Sequence, residues 1–178
     1  MISVTLATTV LSFLTLTGGV VVILLLICIA SGKGILVSIR NFFSKNGLLF
    51  SWIVALTATS GSLFYSEIAG LEPCKLCWFQ RIFMYPLVIL LGIAYFRRDE
   101  RIGKYVIPMS IIGALIAGYH YTIQRLEFAA ACSEDVVSCA SSTFLKFGYI
   151  TIPMMALTAF LMIVGFLYLL KHTHHSDR

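Results

Sequence analysis

The chain has 178 residues, 59% of them hydrophobic and 12% charged, with a mean hydropathy of +0.94. Soluble domains carry roughly 25% charged residues, so this composition excludes an ordinary soluble globule and points to one compact membrane bundle. The formal net charge of +5 is gathered in short clusters between apolar runs, and no alternation of basic and aromatic residues suggests a nucleic-acid groove, so the charge reads as a topology signal.

The run from Leu6 to Ala30 holds no charge and is long enough for a span, which needs about 20 apolar residues. A secretory signal is the rival reading. No Lys or Arg precedes the run, however, and the apolar segment is too long for an h-region. Ile27 is also too bulky for a lipoprotein cleavage site ahead of Cys28. An uncleaved helix is expected, with Cys28 as a packing cysteine. The basic connector from Gly32 to Gly47 carries Lys33, Arg40 and Lys45, and its apolar residues recur at helical spacing. It suits an interfacial helix or a plain linker equally.

Four further spans follow: about Leu48 to Ser66, Trp78 to Phe96, Tyr105 to Ile123, and Gly148 to Leu170. The third span opens on Pro73-Cys74-Lys75-Leu76-Cys77, and the loop between the last two, 124–147, contains Cys132 and Cys139. Pro86, Pro108 and Pro153 fall inside these spans, which membrane helices tolerate because neighbours re-satisfy the freed carbonyls. The expected fold is an all-α transmembrane bundle.

Alternating five spans places residues 31–47, 97–104 and the C-terminal tail on one side, with nine of the lysines and arginines. The other side holds only Lys75, Arg81, Arg125 and Lys146. By the positive-inside rule the first set is cytoplasmic. Hence the N-terminus and all of Cys74, Cys77, Cys132 and Cys139 face the outside, where disulfides persist. Two such pairs suit redox exchange, static staples or one zinc site. Zinc is disfavoured because extracytoplasmic thiols tend to be oxidised and neither outer loop contains a histidine; His120, near the end of the fourth span, is the nearest. A staple across C-x-x-C would close too short a loop to add much stability.

Pro73 suits the first turn of a helix. A helix starting there would set Cys74 at its outer end, Cys77 one turn deeper and Arg81 four residues further along the same face. The positive helix N-terminus and the guanidinium would then both favour a thiolate at Cys77. Arginine just inside a span is costly, so Arg81 reads either as functional or as snorkelling to the headgroups. Trp78, Tyr119 and Tyr121 suit an aromatic belt.

Residues from about Leu48 onward resemble the DsbB family of membrane thiol-disulfide oxidoreductases, most closely its short BdbC-like branch. The resemblance rests on Ser62-Leu63-Phe64-Tyr65-Ser66-Glu67-Ile68, on Pro73 to Pro86 (PCKLCWFQRIFMYP), on the loop with Cys132 and Cys139, and on Phe147 to Pro153 (FGYITIP). It implies a four-helix DsbB-like bundle over 48–178, while residues 1–47 add one N-terminal helix and the basic connector. It further implies an enzyme of the bacterial cytoplasmic membrane that reoxidises an extracytoplasmic thioredoxin-like dithiol protein of the DsbA or BdbD type. The electrons would pass to a membrane quinone, menaquinone or ubiquinone.

By the same resemblance Cys132–Cys139 is the disulfide first attacked, at Cys132, and Cys74–Cys77 the second. Cys74 would be the accessible member, with Cys77 facing the quinone. Arg81 would help bind that quinone, and His120 could reach it from the outer end of its span. Only six residues separate Cys132 from Cys139, so the loop is shorter than in longer family members and the order of internal exchange stays open. The vitamin K epoxide reductase family combines similar parts, but there the loop pair precedes the C-x-x-C. A non-enzymatic scaffold with structural disulfides is the remaining alternative.

Overall fold

The computed structural model describes residues 2–30, 41–126 and 150–176, with the side chains of 2–3, 28–30, 126 and 172–176 excepted. Five long helices dominate. They are α1 (Ile2–Ala30), α2 (Gly47–Leu63), α3 (Lys75–Arg97), α4 (Gly103–Leu126) and α5 (Ile152–Ser176). Each is long and apolar enough to cross a membrane. With no water in the hydrocarbon to satisfy backbone groups, helices are the expected solution for such runs. This is an all-α membrane protein.

Helices α2, α3, α4 and α5 form a square in which each packs on its two neighbours, and α1 lies against α5 outside that square. Leu87, Leu91, Val106, Phe160 and Ile163 are wholly buried at its centre. Outward positions are apolar as well: Leu6, Ile89 and Leu115 are each about two-thirds exposed. That pattern suits lipid on the outside. Lipid tails are as apolar as leucine, so close fit rather than burial must hold such helices together. At Gly113 of α4 a Cβ would overlap the Phe160 ring of α5.

A second apolar cluster joins Leu25 of α1 to Phe166 and Leu169 of α5. Phe43 stacks on Phe166 at 5.6 Å, and the Ser44 hydroxyl donates to the Leu169 carbonyl at 3.2 Å. Residues 41–45 of the connector are helical, and they are held against the end of α5. The part of the connector over 31–40 lies outside the described residues.

Several boundaries differ from expectation. The second span does not stop at Ser66 but widens into a π-helical turn, Phe64–Ile68. α3 begins at Lys75, three residues before Trp78 and two after Pro73. Pro73 therefore precedes the helix instead of opening it. The chain leaves the π-turn through Gly70, at φ +66°, and is still extended at Cys74. α5 begins at Ile152, so Pro153 sits in a first turn, where a missing N–H costs little. At its far end α3 stops on Arg98 in the left-handed conformation, φ 54°. The charged cluster after it is a tight link, with Asp99 Oδ1 accepting the Arg101 N–H at 3.0 Å.

Candidate functional site

Cys74 is the N-cap of α3, and its carbonyl accepts the Trp78 N–H at 3.1 Å. Cys77 is then the third helical residue, among the N–H groups that have no partner inside the helix and form its positive end. The two Sγ atoms stand 3.4 Å apart. The cap position turns Cys74 inward. It is 8% exposed, whereas Cys77 is only half-buried. The expected accessible cysteine is thus the more enclosed one, because it packs against α4 instead of projecting from the helix end.

What it packs against is His120, whose Nε2 lies 3.7 Å from Cys74 Sγ. His120 is 1% exposed and is held between two amides. Gln80 Nε2 approaches its Nδ1 at 3.0 Å, and Gln124 Nε2 approaches its Nε2 at 3.5 Å. A neutral imidazole accepts at one nitrogen only, so both amides cannot donate to it. Amide nitrogen and oxygen exchange places by a half-turn, and Gln124 Oε1 is buried with no hydrogen-bond partner. Turning Gln124 satisfies that oxygen and leaves Gln80 donating to Nδ1. In that tautomer the single Nε2–H is shared between Gln124 Oε1 and Cys74 Sγ. A hydrogen bond of that kind favours a thiolate.

Cys77 faces different surroundings. It lines a cavity of about 250 Å³ together with Gln80, Arg81, Met84 and Tyr85 of α3. α2 contributes Gly61 and Ser62, the π-turn Tyr65, and α1 and α5 complete the walls. Arg81 reaches across to α2, its Nε donating to Ser62 Oγ at 3.0 Å and a terminal nitrogen to the Ser62 carbonyl at 3.1 Å. The Tyr85 hydroxyl donates to the same Ser62 Oγ at 3.4 Å, and the guanidinium lies 5.3 Å from the Trp78 ring centroid. Both Arg81 bonds go to neutral acceptors, so its charge stays uncompensated there.

The structure thus brings together Cys74, Cys77, Arg81 and His120, but divides them. Cys77 and Arg81 line the cavity; His120, expected to reach a quinone, is at Cys74 and is not among the lining residues. Gln80 touches both sides. Cys132 and Cys139 lie outside the described residues, as does the side chain of Cys28. Of the expected belt residues, Trp78 and Tyr119 are exposed and Tyr121 is half-buried.

Sequence reasoning missed Ser62, Tyr85, Gln80 and Gln124. Gln80 and His120 are 40 positions apart, and Arg81 and Ser62 are 19 apart; no spacing rule links them. Cys74, Cys77 and His120 also place three donor atoms within 4.8 Å of one another, three corners of what a tetrahedral zinc site would use.

The cavity has room for a small flat ring that bears hydrogen-bond acceptors. Ligand pockets commonly run to roughly 300–1,000 Å³, so this smaller apolar cavity suits a ring. The cation and the phenol-bearing wall beside Cys77 are the polar groups that a ring carbonyl would require.

A family model described as "Disulfide bond formation protein DsbB" matches residues 44–170. Disulfide bond formation protein C of Bacillus subtilis is 50% identical over 132 residues, covering 71% of this chain and 96% of that protein. A probable disulfide formation protein C of Halalkalibacterium halodurans is 48% identical, covering 67% of this chain and 88% of its own length. A probable disulfide formation protein of Chlamydia caviae is 40% identical over 120 residues, with 67% and 88% covered. No solved structure matches the chain.

Proposed function

The chain belongs to the DsbB family of disulfide bond formation proteins, and from that membership we propose that it reoxidises a thioredoxin-like dithiol protein and delivers the electrons to a membrane quinone. We place it in the bacterial cytoplasmic membrane, with both cysteine pairs extracytoplasmic, the N-terminus outside and the C-terminus in the cytoplasm. The charge asymmetry of the connections supports that orientation. Residues 48–178 form the catalytic bundle in this reading, and residues 1–47 are an addition to it.

The observation that carries the proposal is the unequal setting of the two cysteines: Cys77 shares an apolar cavity with Arg81, and Cys74 sits against His120. A partner thiolate attacks Cys132 of the loop disulfide, expelling Cys139 as a thiolate; the partner's second thiol then resolves the mixed disulfide and leaves the loop reduced. A loop thiolate attacks Cys74 Sγ, and the bond to Cys77 breaks with the electron pair on Cys77; the other loop thiolate then attacks the loop sulfur of that mixed disulfide, re-forming Cys132–Cys139 and releasing Cys74 as a thiolate. When bound, a quinone supplies a two-electron, two-proton acceptor. Cys77 holds its thiolate at the helix N-terminus facing the cavity, and Arg81 stabilises negative charge on that wall. On the other side, the His120 Nε2–H stabilises Cys74 as a thiolate whenever it is the departing sulfur.

Quinone reduction by a reduced thioredoxin-like protein, followed by absorbance with the purified enzyme, tests this directly. Turnover that stops in Cys77→Ser is expected. Absence of turnover in the wild type, or full turnover in Cys77→Ser, would sink the proposal.

A further inference from the structure

The matched family region begins at residue 44, so α1 precedes all of it. That helix is nevertheless built into the cavity. Leu11, Leu14 and Thr15 of α1 are lining residues, together with side chains of α3. Its approach is close: a Cβ on Gly61 of α2 would stand 3.2 Å from a Leu11 methyl, and one on Gly18 of α1 would stand 2.9 Å from Met162 Sδ of α5. Small residues at both contacts are what lets helix backbones approach in lipid. The polar residues of α1 do not disturb that seat. Thr8, Ser12 and Thr15 each return their hydroxyl to the carbonyl four residues earlier, at 2.7, 2.7 and 2.8 Å.

We infer that α1 is a wall of the acceptor site, and that Leu11 and Leu14 are specificity-determining contacts for the ring of the quinone that Cys77 and Arg81 serve. The inference rests on the proposed quinone function. Residues 44–170 alone would leave the cavity open beside Gly61. With α1 in place the ring is enclosed on that side by two aliphatic side chains and a threonine whose hydroxyl is already bonded. Such a wall favours quinones carrying alkyl groups or a fused ring at the edge facing α1, and disfavours polar substituents there, whose hydrogen bonds it cannot replace. Leu11 and Leu14 touch the ring but take no electrons, so they affect binding and not the thiol chemistry.

A photoreactive short-chain quinone, with the adduct mapped by peptide mass spectrometry on the full chain in detergent or nanodiscs, tests the inference. Saturable labelling of the peptide containing Leu11 and Leu14, competed by unlabelled quinone, is expected. The Leu11→Ala/Leu14→Ala variant keeps helix propensity and removes only packing, so quinone affinity should weaken modestly, roughly three- to tenfold. Its stoichiometric exchange with the thiol partner should match wild type. Saturable labelling confined to α2, α3 and α5, with unchanged affinity in the variant, would overturn the role of α1 and leave the quinone function standing. No saturable labelling anywhere would overturn both.

Discussion

The two flanks of the C-x-x-C are chemically unlike. Around Cys74 lies a buried polar cluster in which His120 is clasped by two glutamines. Around Cys77 lies an apolar cavity with one guanidinium and two phenols, those of Tyr65 and Tyr85, on its wall. Three residues along one helix turn thus separate two solvents. A disulfide across that boundary can accept electrons where proton positions are controlled and release them where a lipid-soluble molecule can reach. The difference in surroundings, and not the motif itself, distinguishes the two sulfurs.

The contrast is most easily broken at Cys77. Cys77→Ser should abolish quinone reduction, while Cys74 still forms a mixed disulfide with a loop cysteine, visible by mass spectrometry. Arg81→Met comes next. Losing a charge that stabilises a developing anion costs roughly a hundredfold, and the loss should fall on the quinone step alone, seen by stopped-flow absorbance. His120→Phe should do the reverse: a hydrogen bond to a charged sulfur is worth about 1.5 kcal/mol, so exchange at Cys74 should slow about tenfold with the apparent KM for quinone unchanged. Treatment with a strong chelator should leave turnover at the wild-type rate; loss of activity restored by zinc would mean that Cys74, Cys77 and His120 hold a metal instead. Arg98→Gly probes neither flank. It relieves a left-handed non-glycine residue and should raise unfolding stability by about 0.5 kcal/mol, with activity unaffected.

Much of the frame was legible in the residues. Five apolar runs became five helices, and the C-x-x-C with Arg81 four residues on became a cation and a cysteine on one cavity wall. What stayed hidden depends on contacts between helices. Nothing near Ser62 signals that it will anchor Arg81, and the π-turn at Phe64–Ile68 has no marker in its five residues. Pro73 misled because its preference for a first turn is local, whereas the start of α3 is set by where the chain re-enters the bundle after Gly70. That His120 stands beside Cys74 and not on the cavity wall was hidden for the same reason: its span was clear, but which sulfur it faces depends on how α4 meets the cap of α3. The place of α1 was also beyond reach, since an all-apolar helix presents no face that names its neighbour.

The division of labour between the two sulfurs can be measured outright. In a background with Cys28, Cys132 and Cys139 changed to serine, variants retaining only Cys74 or only Cys77 would be exposed to a short-chain quinone with an unsubstituted ring position. Intact mass would then report the thioether adduct. The account predicts rapid adduct formation at Cys77 that is slowed by Arg81→Met, and little at Cys74. Equal or faster modification of Cys74 would contradict it.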